Sequence, residues 1–76
     1  MIFEKVSHLI AKDFNVSVSS VSADTRLQED LNVDSLDAVE LVMSLEDAFG
    51  VKITDQEAAN FKTVGEIVDF VSNKIN

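Results

Sequence analysis

Apolar residues recur with the period of an α-helix at both ends of this chain and through its middle, and no proline interrupts them. In the first segment Ile2, Phe3, Val6, Leu9, Ile10 and Phe14 follow the i, i+3, i+4, i+7 spacing of a helix with one buried face. Lys5, Ser7, Lys12 and Asp13 fill the other face, and His8 falls among the polar positions. A second helix runs from about Ser35 to Phe49, with Asp34 as N-cap, Asp37 as its capping-box carboxylate and Gly50 as a left-handed terminator. Val51 and Ile53 lead to a short helix over about Asp55 to Asn60, opened by the Thr54–Glu57 capping box, and Phe61 then anchors into the core. Thr63 with Glu66 repeats the box and opens the last helix, whose stripe is Val64, Ile67, Val68, Val71 and Ile75, with Phe70 beside it. The expected fold is therefore all-α: a small helical bundle with three main helices, one short helix and a long first loop, in a single domain over residues 1–76.

That loop spans Asn15 to Val33. Its serine–valine alternation resembles a strand, but a lone strand has no partner in an otherwise helical chain. We expect an ordered loop with one turn of helix near Val18 to Val21, pinned to the core by Val16, Val21, Leu27 and Leu31. Long loops in compact domains are often functional.

A chain of 76 residues buries only about 60% of the surface its unfolded form exposes, so the core is thin. With no cysteine, neither a disulfide nor a thiolate is available, and the single His8 excludes multi-histidine metal sites. No apolar run approaches the roughly 20 residues that cross a bilayer, and the N-terminus lacks the apolar segment of a secretion signal. The expectation is a cytoplasmic monomer.

Charge narrows the function further. Between Glu29 and Glu57 stand nine acidic residues and one base, Lys52, whereas acids and bases balance in the rest. The whole net charge of −8 thus belongs to one region. That opposes nucleic-acid binding, which needs a basic patch, and favours partners with basic surfaces steered in electrostatically. The helix at the centre of this region is apolar on more than one face. Ala38, Leu41, Val42, Leu45 and Phe49 form a stripe for the core, while Leu36, Val39 and Met43 lie round the cylinder among Asp37, Glu40 and Asp47. One stripe suffices for folding, so the second, ending in an adaptable methionine, reads as a docking surface. The alternative is a helix packed in the middle of the bundle.

Ser35 occupies the first position of that helix, where unpaired backbone N–H groups and the helix dipole favour an anion. On these residues alone it is either part of a helix cap or a hydroxyl awaiting modification. Nucleophilic catalysis needs a base held by a third group, and nothing in the sequence places His8 near Ser35. A calcium loop starting at Asp30 needs glycine at its sixth position and glutamate at its twelfth; Ser35 and Leu41 stand there, so only weak divalent binding by clustered acids remains.

The run Glu29-Asp30-Leu31-Asn32-Val33-Asp34-Ser35-Leu36-Asp37-Ala38-Val39-Glu40-Leu41-Val42-Met43, with the later Ile53-Thr54-Asp55-Gln56-Glu57-Ala58, closely resembles acyl carrier proteins, and the likeness covers essentially the whole chain. The resemblance implies 4′-phosphopantetheine, drawn from coenzyme A, on Ser35 and carriage of acyl groups as thioesters, without catalysis by the chain itself. It implies that Asp34 helps orient the phosphopantetheinyl transferase. Asp37, Glu40 and Asp47, with Leu36, Val39 and Met43, would meet basic docking patches on fatty-acid synthesis enzymes. Val42, Leu45, Ile53, Phe61 and Ile67 are candidates for lining an acyl pocket, and each serves equally well as core. Asn32 stands where many relatives have glycine, and asparagine is well able to hold a positive φ. Thr54 stands where many have proline, and Gln56 and Asn60 replace acids common in the family's third helix. Other readings are a carrier for polyketide, peptide or D-alanyl transfer, or a small acidic helical adaptor.

Overall fold

The computed structural model describes residues 1–75. Five α-helices follow one another: α1 (Ile2–Phe14), α2 (Leu27–Leu31), α3 (Ser35–Phe49), α4 (Asp55–Ala59) and α5 (Val64–Ile75), with a 3₁₀ turn at Val18–Ser20 between the first two. The three long helices match the three apolar periodicities, and α1 packs against both α5 and α3. Their stripes meet in one core, where Val6, Ile10, Leu45, Val64, Ile67 and Val71 are fully buried. The all-α class and the bundle stand as expected, and the 3₁₀ turn lies where a helical turn was expected.

Two features depart from the sequence reading. The first is α2, a helix inside the segment read as loop. It is one turn long, too short to be stable alone or to show a period, and tertiary bonds hold it. The Leu27 N–H donates to the Lys62 carbonyl at 2.9 Å and the Val64 N–H to the Thr25 carbonyl at 3.0 Å, an antiparallel bridge between Arg26 and Thr63. Asp30 closes the start of the turn by accepting the Arg26 N–H at 2.8 Å. The anchors of the segment behave as read: Val21 and Leu27 are buried, and Val16 and Leu31 pack on the core half-buried.

The second is Ser7. It is not on a solvent face but is 4% exposed, and its hydroxyl has no hydrogen-bond partner. Because α1 is covered by two neighbouring helices, its buried surface is wider than the single stripe that periodicity marks.

Helix ends follow the residues that specify them. Gly50 terminates α3 at φ 65°, and Asn32 terminates α2 at φ 54°, the left-handed conformation in which asparagine replaces glycine at small cost. Asn15 does the same for α1 at φ 55°. Gly65 has another role: a Cβ there would lie 3.1 Å from the Ala23 carbonyl oxygen, and its own N–H bonds to that oxygen at 2.9 Å. The approach ties α5 to the loop before α2.

Candidate functional site at the start of α3

Asn32 ends α2 and Asp34 starts α3 two residues later, so a tight corner delivers the next residue to the surface. The corner is clamped from both sides. Val33 is buried and its N–H bonds to the Leu27 carbonyl at 3.0 Å. Asp34 Oδ1 accepts the Asp37 N–H at 2.8 Å, and Asp37 Oδ2 accepts the Asp34 N–H at 3.4 Å, a complete capping box. Ser35 is the first helical residue and is exposed. Its own N–H and that of Leu36 precede the first intrahelical donor, since the ladder begins with the Ala38 N–H on the Asp34 carbonyl at 2.9 Å. A hydroxyl on a rigid helix start, beside outward N–H groups, is well placed to carry an anionic substituent.

The surface running on from Ser35 is apolar and acidic at once. Leu36, Val39 and Met43 are 70%, 56% and 58% exposed, unusual for large apolar side chains on a folded domain. Glu40 and Asp47 are exposed and Asp37 is half-exposed on the same helix. The packed stripe of α3 faces inward, with Leu41 and Leu45 buried and Ala38, Val42 and Phe49 half-buried against the core. The two-stripe reading of this helix is therefore what its exposure shows.

Two clefts meet at Ser35. One, of about 190 Å³, passes between α2, α3 and α4 and is lined by Leu27, Val33, Ala38, Val42 and Phe61, among others. The other, of about 480 Å³, lies between α3 and α4 and is lined by Val39, Met43, Glu46, Ile53 and Ala58, among others. Ser35 lines both. Of the residues singled out as acyl-pocket candidates, Val42, Phe61 and Ile53 line a cleft. Leu45 and Ile67 line neither and are wholly buried in the core.

Other contributors carry no sequence signal of their own. Leu27, Val33, Ala38, Ala58 and Ala59 line the clefts only because α2 and α4 fold over α3. Glu46 reaches across to accept the Ile53 N–H at 2.9 Å, fastening the connection between α3 and α4. The small side chains facing each other from α3 and α4 are the one hint a sequence offers, since alanines at a helix contact leave room.

Two carboxyls near these elements are held below their ordinary values. Asp30 is lowered chiefly by the hydrogen bond from the Arg26 N–H, then by the Arg26 guanidinium. Glu57, the capping-box residue of α4, is lowered by the Thr54 N–H, with a smaller contribution from Lys74 at 3.6 Å. Among the described residues no three acidic or histidine side chains converge as a metal-ligand set. No helix among them is long and apolar enough to cross a membrane.

Comparison with known proteins agrees with this geometry. Residues 4–71 match the family model described as the phosphopantetheine attachment site. An acyl carrier protein of Thermosynechococcus vestitus is 47% identical over 74 residues, covering 97% of this chain and 91% of the relative. One from Aster yellows witches'-broom phytoplasma is 49% identical over 72 residues, covering 95% of each. The solved structure of an acyl carrier protein from Enterococcus faecalis superposes with a TM-score of 0.82 at 34% identity, over 96% of this chain and 92% of that one. The chain belongs to the phosphopantetheine-attachment family and, within it, to the acyl carrier proteins. Its prosthetic group is 4′-phosphopantetheine and its function is the carriage of acyl groups on that arm.

Proposed function

We propose that Ser35 is the attachment residue and that the chain is a discrete, monomeric carrier serving the enzymes of dissociated fatty-acid synthesis in the cytoplasm. The observation that carries this reading is the exposed Ser35 at the first position of α3, clamped by the Asp34–Asp37 box, with both apolar clefts opening at its side. In the modification step the Ser35 hydroxyl oxygen attacks the pantetheine-bearing phosphorus of coenzyme A. A phosphodiester forms, the pyrophosphate bond breaks, and 3′,5′-adenosine diphosphate leaves while the transferase takes the hydroxyl proton. The N–H groups of Ser35 and Leu36, free of intrahelical acceptors, would face the added negative charge, and the helix dipole would offset the repulsion of the surrounding carboxylates.

The bound group supplies a terminal thiol, the sulfur chemistry that a chain without cysteine lacks. The protein's part is then presentation. It raises the effective concentration of its cargo at each enzyme it visits, and it contributes no catalytic residue of its own. Leu36, Val39 and Met43 supply an apolar contact, and Asp37, Glu40 and Asp47 steer basic patches on the transferase and the synthesis enzymes onto it. A small, charge-rimmed interface suits partners that must bind, react and release.

Reconstitution tests the placement. The phosphopantetheinylated protein is mixed with purified dissociated fatty-acid synthesis enzymes, malonyl-coenzyme A and reduced nicotinamide cofactor. Acyl chains growing by two-carbon steps on the protein are expected. A fully modified protein that collects no malonyl or longer acyl group would refute the fatty-acid assignment.

A further inference from the structure

The chain holds two sulfur atoms, those of Met1 and Met43, and no cysteine. Both methionines are exposed, whereas the fully buried side chains, Val6, Ile10, Leu45, Val64, Ile67 and Val71, are all aliphatic. Oxidising every sulfur would thus alter nothing in the core. Met1 is the N-cap of α1. Met43 lies in the middle of α3, on the exposed stripe with Leu36 and Val39, and it lines the larger of the two clefts that Ser35 lines. Leu41 and Leu45, two residues to either side, are buried. The leucines hold α3 to the bundle while the thioether faces outward.

Of the three apolar side chains in that stripe, only Met43 has reversible chemistry. Hydrogen peroxide transfers one oxygen atom to its sulfur: an S–O bond forms, the O–O bond breaks, the sulfur gives up two electrons and water leaves. The sulfoxide is polar and chiral, and a thiol-dependent reductase returns it to the thioether, the oxygen leaving as water while two thiols join in a disulfide. Next to exposed Val39, the added oxygen would be pressed against whatever apolar surface a partner brings, without a hydrogen-bond donor to meet it.

We propose that Met43 is an oxidation site that switches docking: its sulfoxide weakens the hold of partner enzymes on the α3 surface while the fold stays intact, and reduction restores that hold. The inference rests on the reading of Leu36, Val39 and Met43 as the apolar contact for partners.

The test treats the unmodified chain with hydrogen peroxide, so that no arm thiol competes for the oxidant, and catalase then removes the excess. Peptide mass spectrometry reads the oxygen on Met43 separately from that on Met1. A broad-specificity phosphopantetheinyl transferase is next supplied with coenzyme A and magnesium. Its kcat/KM for the carrier is measured before oxidation, after it, and after treatment with methionine sulfoxide reductases and dithiothreitol. A roughly tenfold fall is expected on oxidation, carried by KM and of the size that one unpaired polar group costs an interface. Recovery on reduction and an unchanged thermal melting curve should accompany it. Two variants locate the effect. In Met43→Leu, whatever its starting value, peroxide should leave kcat/KM as it was, and Met43→Gln should show the loss without peroxide. If Met43→Gln and the sulfoxide both leave kcat/KM unmoved, the docking contact and the switch fall together. If Met43→Gln shows the loss but Met43 takes up no oxygen, or its sulfoxide docks unimpaired, the switch alone is overturned. An equal loss in peroxide-treated Met43→Leu, or a lowered melting temperature of the sulfoxide, overturns it as well.

Discussion

Replacing Leu45 with alanine separates the core of this domain from the walls of its clefts. Leu45 is wholly buried at the centre of the bundle, whereas Val42, one turn earlier on α3, is half-buried and lines both clefts beside Ser35. Truncating a fully buried leucine removes its transfer free energy and leaves a cavity, about 3–5 kcal/mol in total. A domain of 76 residues has a stability of about 4–11 kcal/mol, so Leu45→Ala removes a large fraction of it. At about 4–8 °C per kcal/mol for this size, the melting temperature should fall by about 12 °C or more. Val42→Ala loses two methylene equivalents that are only half-buried, about 1 kcal/mol or a few degrees. Thermal unfolding followed by far-ultraviolet circular dichroism reads both. Equal losses in the two variants, or a greater loss from Val42→Ala, would refute the division between core and cleft.

Three further outcomes are expected. Ser7→Ala removes a buried hydroxyl that lacks a partner and should raise stability by about 1 kcal/mol; a lower melting temperature would show that the hydroxyl is satisfied in solution. Asn32→Ala removes the short polar side chain that lets an L-residue hold the left-handed conformation, at a cost of up to about 1–2 kcal/mol, whereas Asn32→Gly should melt no lower than the parent; equal loss in both would refute the account of the α2–α3 corner. The lowered carboxyls set a pH dependence: between the folded and unfolded values of Asp30 and Glu57 the folded state binds fewer protons, so their stabilisation is present above the unfolded values, near 3.8 and 4.5, and is lost as pH falls through the folded ones. The melting temperature of Asp30→Asn or Glu57→Gln relative to the parent should therefore be lower near neutrality and converge with it in acid, and a gap that persists in strong acid would contradict this.

What the sequence made legible is what local rules determine. The stripes of α1, α3 and α5 follow from their period, the capping boxes at Asp34, Thr54 and Thr63 from residues three apart, and the positive φ at Gly50 from helix termination, whereas the positive φ at Asn32 was legible only through the family resemblance. The exposed stripe of Leu36, Val39 and Met43 was legible for the same reason: α3 has more apolar faces than one core contact can cover. What stayed hidden depends on partners distant in sequence. Helix α2 exists because Leu27 and Thr25 bond to the segment before α5. Ser7 is buried because two helices cover α1, and Gly65 is required by a single approach to Ala23. Glu46 looks like one more surface acid until its bond to the Ile53 N–H is seen. The same holds for the clefts, whose walls come from three helices, so that core and lining residues cannot be told apart by periodicity alone: Leu45 and Val42 share a stripe and differ in what they face.

The central claim, that Ser35 carries the arm, meets its most direct test in an intact-mass measurement. The protein and its Ser35→Ala variant are each incubated with coenzyme A, magnesium and a broad-specificity phosphopantetheinyl transferase. The account predicts one phosphopantetheine increment on the unaltered chain and none on the variant; an increment that survives Ser35→Ala, or no increment on either, would contradict it.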